Sequence, residues 1–269
     1  MAHRYVHGYA STEASRLQDQ AATLTDLLHD GTSYAAGERV LEAGCGVGAQ
    51  TVVLAARSPE CELVAVDVAA PSVALARERV RRAGLGNVSF HVADLHALPF
   101  APDSFDHVFV CFVLEHLPDP PASIGALCTV LKPGGSLTVI EGDHGSAYFH
   151  PDSAAAREAI AHLVELQRRA GGDANIGRTL YPLLRSCGLL DVQVVPRLVY
   201  ADAAHAELVD GFSRRTFTAM IEGVRAAALT AALTTPARFD EGIRALHRTT
   251  EANGVFCYTF FKAVAHRAG

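Results

Sequence analysis

The sequence lacks any apolar run long enough to span a bilayer, and no signal peptide is evident in its 269 residues. Its 13 histidines show no H-E-x-x-H or comparable ligand spacing, so no metal site is expected. The cysteines include no C-x-x-C pair and are scattered, at Cys45, Cys61, Cys111, Cys128, Cys187 and Cys257. These absences predict a reduced, cytoplasmic protein with no membrane partner.

The sequence also has little charge, and little of that charge is basic. Charged residues make up 19% of the chain and the formal net charge is −6, whereas binding to nucleic-acid phosphates needs a concentrated basic surface. The densest basic run, at 77–82, lies on a predicted exposed helix and is interpreted as a solvated face. With 49% hydrophobic residues, no repeat and no linker, residues 1–269 are expected to form one domain. We expect a small-molecule partner, with a homo-oligomer left open.

The segment Arg39–Thr51, RVLEAGCGVGAQT, is the most informative part of the chain. Val40–Ala43 is an apolar run typical of a buried parallel strand. Three glycines then alternate, at Gly44, Gly46 and Gly48, which lets the backbone turn sharply and lets a ligand approach its N–H groups. A helix is predicted directly behind them, with its positive end at the loop. Together these features predict a nucleotide-type binding site.

Strand and helix patterns alternate along the rest of the chain, which predicts a largely parallel sheet with helices on both faces. Strands are expected at 40–43, 62–67, 88–94, 105–113, 137–141, 192–200 and 255–265. Pro196 favours an edge position for the sixth of these strands, because proline cannot donate to a neighbouring strand.

Acidic residues follow three of the predicted strands in succession. Glu42 ends the first strand, Asp67 the second and Asp94 the third, and the carboxyl ends of parallel strands meet at one edge of a sheet. Taken alone, the G-x-G-x-x-A pattern at 44–49 also satisfies the dinucleotide-binding fingerprint, with Asp67 at the distance of a ribose-binding acid. An NAD-linked oxidoreductase is therefore one alternative. A catalytically silent cofactor-binding subunit is another.

The glycine loop, the three acids and two later segments, LPFAPDSFDHVFV (98–110) and VLKPGGSLTVIE (130–141), occur in one order. In that order they resemble the class I S-adenosylmethionine-dependent methyltransferases, over roughly residues 35–143. The resemblance implies an α/β, doubly wound seven-stranded sheet of order 3-2-1-4-5-7-6, mostly parallel with an antiparallel seventh strand, with added N-terminal and lid helices. It implies S-adenosyl-L-methionine as cofactor and S-adenosyl-L-homocysteine as its product.

The resemblance also implies a role for each marked residue. Asp67 would accept hydrogen bonds from the two ribose hydroxyls, and Asp94 would accept one from the adenine amine. Val68 and Leu95 would sandwich the adenine ring, and Glu42 would shape the floor near the sulfonium end. The other residues predicted to bind the cofactor are Tyr9, Arg16, Gly44, Gly46, Gln50, Thr51 and Cys111.

The segment 141–150, EGDHGSAYFH, follows the fifth predicted strand and is expected to be a loop that faces the acceptor. His144 is the best candidate general base, because an imidazole takes up a proton near neutral pH, and His116 is the second candidate. The residues predicted to bind the substrate are Tyr5, Glu141, Tyr148, His150 and Tyr181.

The chain is expected to have an N-terminal arm and helix (1–34), a cofactor-binding half (35–143), and acceptor-site and lid helices (144–188 and 203–252). The segments HGYA (7–10) and EGDHGSAYFHP (141–151) resemble a subset of bacterial natural-product methyltransferases, some of which methylate an indole carbon. O- or N-methylation of another small metabolite stays open as the alternative.

Overall fold

The computed structural model describes residues 23–269, so the predictions for Tyr5, Tyr9 and Arg16 lie outside the described residues. One seven-stranded sheet has the order β3-β2-β1-β4-β5-β7-β6 with β7 antiparallel, which confirms the predicted topology and the edge position of β6. Its strands are β1 (Arg39–Ala43), β2 (Glu62–Asp67), β3 (Val88–Val92), β4 (Phe105–Cys111), β5 (Leu131–His150), β6 (Leu190–Ala201) and β7 (Val255–His266).

The core of the sheet forms where β1 lies between β2 and β4. Leu41 pairs with Val64 on one side and with Val108 on the other, in parallel register. All three side chains are fully buried, as expected for central strands that are covered on both faces.

Helices connect the strands, and local sequence signals mark the first turns of two of them. Proline occupies the first turn of α3 and α4, and the Asp119 carboxylate caps α4 by accepting from the Ala122 amide. Of the helices that the structure describes, none is long and apolar enough to cross a membrane. They are α1 (23–29), α2 (Ala49–Arg57), α3 (Ala70–Arg82), α4 (Pro120–Val130), α5 (Ala154–Arg169), α6 (Leu180–Ser186), α7 (Ala206–Leu208), α8 (Ala219–Gly223), α9 (Arg225–Thr230) and α10 (Pro236–Arg248).

Internal contacts group the described residues into two compact units. The first, which we call the glycine-loop unit, contains residues 25–141, 177–195 and 261–269. The second, which we call the helical unit, contains residues 23–24, 142–176 and 196–260. Nearly all of the predicted cofactor-binding half belongs to the glycine-loop unit.

The segment 141–150 differs most from its prediction, because it continues β5 instead of forming a loop. Within the helical unit, the Thr259 amide of β7 donates to Ser146 Oγ, and the Phe149 ring stacks on Phe256 at 6.2 Å. These contacts come from a strand more than 100 positions later in the chain, so the local sequence, with its polar residues and two glycines, shows no sign of them.

Two other predictions needed correction. The third strand ends at Val92, so Asp94 lies beyond it and caps a 3₁₀ turn, Leu95–Ala97. The sequence of residues 205–250 predicts two helices, whereas the structure has α7 to α10 there, with a π-helix, Val209–Thr218, between α7 and α8.

Candidate functional site

The glycine loop after β1 has left-handed backbone at each of its glycines, with φ of 82° at Gly44, 50° at Gly46 and 78° at Gly48. A Cβ at Gly44 would overlap Val113 Cγ2, and one at Gly48 would lie 2.8 Å from the Ala76 backbone. A Cβ at Gly46 would meet no heavy atom within 4 Å. The outer two glycines are therefore needed for packing, and the middle one leaves the backbone open to a ligand.

This difference predicts unequal costs of substitution. Gly48→Ala should lower the free energy of unfolding by about 3 kcal/mol, because left-handed strain adds to overpacking against Ala76. Gly46→Ala should cost only about 1 kcal/mol, because strain acts alone there. Urea unfolding with unchanged m-values measures both. Equal losses would contradict the packing role of Gly48.

Asp67 closes the loop at the end of β2. Its Oδ2 accepts from the Gly46 amide and its Oδ1 from the Ala69 amide, each at 2.8 Å. Each carboxylate oxygen has a second lone pair, so Asp67 keeps the capacity to accept from two further donors. The next residue, Val68, has 66% of its surface exposed and offers an apolar surface beside that carboxylate.

Asp94 is exposed, and its Oδ1 accepts from the His96 amide at 2.9 Å. This cap orders the 3₁₀ turn that carries the half-buried Leu95. The sequence placed both residues in the adenine site but did not indicate the cap. Their contact with adenine stays a prediction.

Three carboxylates are buried in the glycine-loop unit: Glu42 at the end of β1, Glu115 in the turn after β4, and Glu141 in β5. Burial raises the pKa of Glu42 to about 8, the Thr51 hydroxyl opposes the shift in part, and the charge of Asp67 adds to it. Burial and the charge of Glu115 raise the pKa of Glu141 well above its usual range. The Oε2 atoms of Glu42 and Glu141 have no hydrogen-bond partner among the described residues.

Glu141 supports the chain after β4, a role that the sequence did not indicate. Its Oε1 accepts from the amides of Val113 at 3.0 Å and Leu114 at 2.7 Å. These bonds hold the backbone beside Phe112, whose φ of 58° is rare for a non-glycine residue. Because Val113 also fills the space next to Gly44, Glu141 helps to set the wall of the glycine loop. Its predicted contact with a substrate stays a prediction.

The remaining predicted residues of this unit have differing environments. Cys111 is buried at the end of β4, and desolvation raises the pKa of its thiol. Thr51 is buried, whereas Gln50 is half-buried and hydrogen-bonded to His29, a residue that the sequence did not single out. His116, the second candidate base, lies with its Nε2 3.5 Å from Glu115 Oε1.

In the helical unit, the structure pairs His144 with Tyr258. The His144 ring is buried and its Nδ1 lies 2.7 Å from the Tyr258 hydroxyl, while its backbone amide donates to the Ala174 carbonyl. A Cβ at position 142 would overlap that hydroxyl, so Gly142 makes room for the pair. The two partners are 114 positions apart, so only the fold reveals their contact.

Aromatic rings surround this pair within the helical unit. The Phe217 ring meets His144 edge-on at 6.2 Å, and Tyr258 lies 5.5 Å from Phe212 and 4.7 Å from Phe260. All of these rings are buried.

Three of the predicted substrate-binding side chains, unlike the buried Glu141, are exposed. Tyr148 has 58% of its surface exposed, and His150, in the same unit, is exposed as well. Tyr181, in the glycine-loop unit, is 54% exposed. In the part of the chain that the structure describes, no three His, Cys, Asp or Glu side chains are grouped so as to hold a metal ion.

This chain is similar in sequence to known methyltransferases. The model of the family described as "Methyltransferase domain" matches residues 40–135. An uncharacterized 37.1 kDa protein from a Streptomyces fradiae transposon is 32% identical over 222 residues, which are 81% of this chain and 61% of that protein. Methyltransferase GfsG of Streptomyces halstedii is 35% identical over 126 residues, 46% of this chain and 45% of that protein.

A third relative, demethylmenaquinone methyltransferase of Thermus thermophilus, is 39% identical over 106 residues, 39% of this chain and 48% of that protein. This chain therefore spans only about a third to three-fifths of the length of the curated relatives it matches.

Similar solved structures share the fold at low sequence identity. Geranyl diphosphate C-methyltransferase of Streptomyces coelicolor, bound to S-adenosylhomocysteine, gives a TM-score of 0.53 at 15% identity and covers 95% of this chain and 79% of its own. The [4+2]-cyclase SpnF gives a TM-score of 0.56 at 20% identity, and the match covers 93% of this chain and 82% of the cyclase. A cyclase and a methyltransferase thus share this fold, and the fold alone does not name the reaction.

Proposed function

We propose that this chain, whose residues 40–135 match the methyltransferase-domain model, is a class I S-adenosylmethionine-dependent methyltransferase that transfers a methyl group to a small-molecule acceptor. The geometry of Asp67 carries the proposal, because its carboxylate closes the glycine loop and still has acceptor capacity for a ribose diol. The dinucleotide fingerprint fits the same loop, but the family match favours the methyltransferase over the NAD-linked oxidoreductase.

The residues around the glycine loop fit an adenosine-containing cofactor. Asp67 would hold the ribose, the exposed Val68 would cover one face of the adenine, and Asp94 with Leu95 would bind its edge. The buried Glu42 Oε2, which lacks a described partner, would form a hydrogen bond with the cofactor or with a bridging water. When bound, the cofactor supplies a methyl group on a positively charged sulfur.

The main task of the protein in this reaction is to position the acceptor. Methyl transfer from a sulfonium is an in-line displacement, so the chain has to hold the acceptor in line and exclude water. A base is needed only where the acceptor loses a proton, and we assign that role to His144, oriented by Tyr258. His116 is the second candidate.

For the acceptor we propose an aromatic or heteroaromatic natural product of indole type. The exposed ring of Tyr148, a predicted substrate-binding residue, supports it, because a flat acceptor packs well against an aromatic face. O- or N-methylation of another metabolite is the alternative, and it has support from a relative named 27-O-demethylrifamycin SV methyltransferase. A mass-spectrometric screen for methylated products across indoles, phenols and amines separates the two.

Replacing Asp67 by alanine should weaken the binding of S-adenosylhomocysteine by roughly 2–3 kcal/mol, because two hydrogen bonds to ribose hydroxyls are lost. Isothermal calorimetry measures the change. Glu62→Ala is the matched control, because Glu62 lies at the opposite end of β2 and should leave the affinity unchanged. Unchanged affinity in Asp67→Ala would remove that residue from the site.

Thermal shifts test the class of ligand directly. S-adenosylhomocysteine should raise the Tm of the unmodified chain, and NAD should not. The reverse result would favour the oxidoreductase. Cofactor binding without turnover on the whole acceptor panel would favour a catalytically silent subunit.

A further inference from the structure

His29, at the end of α1, is fully buried and held from three sides within the glycine-loop unit. Its Nε2 lies 2.6 Å from Gln50 Oε1, and its ring stacks on Phe109 of β4 at 5.5 Å with 20° between the planes. Its backbone carbonyl accepts from Arg57 Nη1 at 2.9 Å. The ring is therefore fixed in place before any ligand binds.

The direction of the His29–Gln50 hydrogen bond follows from the protonation state of the ring. Burial lowers the pKa of His29 to about 4; the hydrogen bond to Gln50 opposes this shift in part, and the charges of Arg57 and Lys262 add to it, so the imidazole is neutral at pH 7. A neutral imidazole carries one N–H, and an amide oxygen can only accept. The N–H is therefore on Nε2, which donates to Gln50 Oε1, and Nδ1 has no hydrogen-bond partner among the described residues.

Gln50 is the second residue of α2, directly behind the glycine loop, and is half-buried. With its oxygen engaged by His29, the group left to bind a ligand is the amide NH₂. The first turn of α2 adds backbone N–H groups, because Gly48 supplies no side-chain cap and the Val52 amide is the first to bond within the helix. This end of the site is rich in donors.

We propose that His29 is a positioning residue, which fixes the Gln50 amide so that its NH₂ group binds the carboxylate of the methionyl part of the cofactor. The proposal rests on the proposed function and names one end of the same site. Without His29, the amide is free to rotate and present its oxygen to the carboxylate, which repels it.

Two ligands separate this role from a general structural one. S-adenosylhomocysteine carries the carboxylate, and 5′-methylthioadenosine keeps the adenosine but lacks the carboxylate. His29→Phe keeps an aromatic ring on Phe109 and removes the donor, so it should weaken S-adenosylhomocysteine about three- to tenfold and leave methylthioadenosine unchanged. His29→Gln, which restores a donor near Nε2, should recover most of the affinity.

The double variant completes the test. Gln50→Leu should lose at least as much affinity for S-adenosylhomocysteine, and adding His29→Phe to it should change nothing further, because both act through one amide. Equal losses for both ligands, or additive losses in the double variant, would overturn the proposal and leave the methyltransferase assignment intact. Failure of the unmodified chain to bind either ligand would instead count against the proposed function.

Discussion

Replacing His144 by alanine should lower kcat by about 10²–10⁴-fold if the methylated atom carries a proton that must leave. The structure favours His144 over the other histidines of the helical unit because its ring is buried and its Nδ1 is held by the Tyr258 hydroxyl. When Nδ1–H donates to that oxygen, Nε2 carries the lone pair that a base needs. The same pairing explains why a glycine at 142 is needed beside it.

The kinetic pattern identifies the role. If the acceptor is an electron-rich carbon, His144 mainly orients the substrate, and His144→Ala should raise KM more than it lowers kcat. Tyr258→Phe removes only the hydroxyl. It should change the same kinetic parameter as His144→Ala does, by a smaller factor of about tenfold. His247→Ala is the control, because this half-buried histidine of the same unit pairs with Glu222. Full activity of His144→Ala at both saturating and low acceptor would exclude both roles and direct attention to His116 or His150.

Glu42 should make a contribution to the stability of the ligand-free protein that falls as the pH rises from about 4.5 to about 8. Its pKa is about 8 in the folded protein against an ordinary 4.5, so over this range the native state keeps a proton that the unfolded chain has released. The stabilisation is complete below pH 4.5 and is lost as the pH rises to about 8. Each pH unit costs about 1.4 kcal/mol, or roughly 3–5 kcal/mol in total.

Glu42→Gln tests this directly, because glutamine keeps the shape of the protonated acid and does not titrate. Relative to the unmodified chain, the variant should gain stability at pH 8 by up to a few kcal/mol and show little difference near pH 4.5. Urea unfolding across the pH range measures the difference. Glu141, whose pKa is also raised, contributes in the same direction in both proteins and cancels from the comparison. A difference that does not change with pH would show that Glu42 is ionised in the folded protein.

The sequence alone determined the strands and the glycine loop, and its resemblance to the class I methyltransferases implied the order of the strands. The strands were predictable because buried parallel strands are continuous apolar runs. An acidic residue, Glu42 or Asp67, stands at the carboxyl end of each of the first two strands. The loop was predictable because left-handed backbone at Gly44 and Gly48 favours glycine, so the glycines in the sequence indicate the conformation of the loop. Both signals come from the backbone preferences of residues that lie close together in the chain.

Only the tertiary structure decided which polar side chains meet. His144 pairs with Tyr258, His29 with Gln50, and Glu141 with the amides of Val113 and Leu114, across 21 to 114 positions of chain. The identity of a polar residue does not tell whether its side chain faces water or is buried. Burial makes an unpaired polar group costly, so each of these side chains acquires a fixed partner, and the pKa values of Glu141 and His29 are shifted. The same long-range pairing with β7 turned the expected loop at 141–150 into strand.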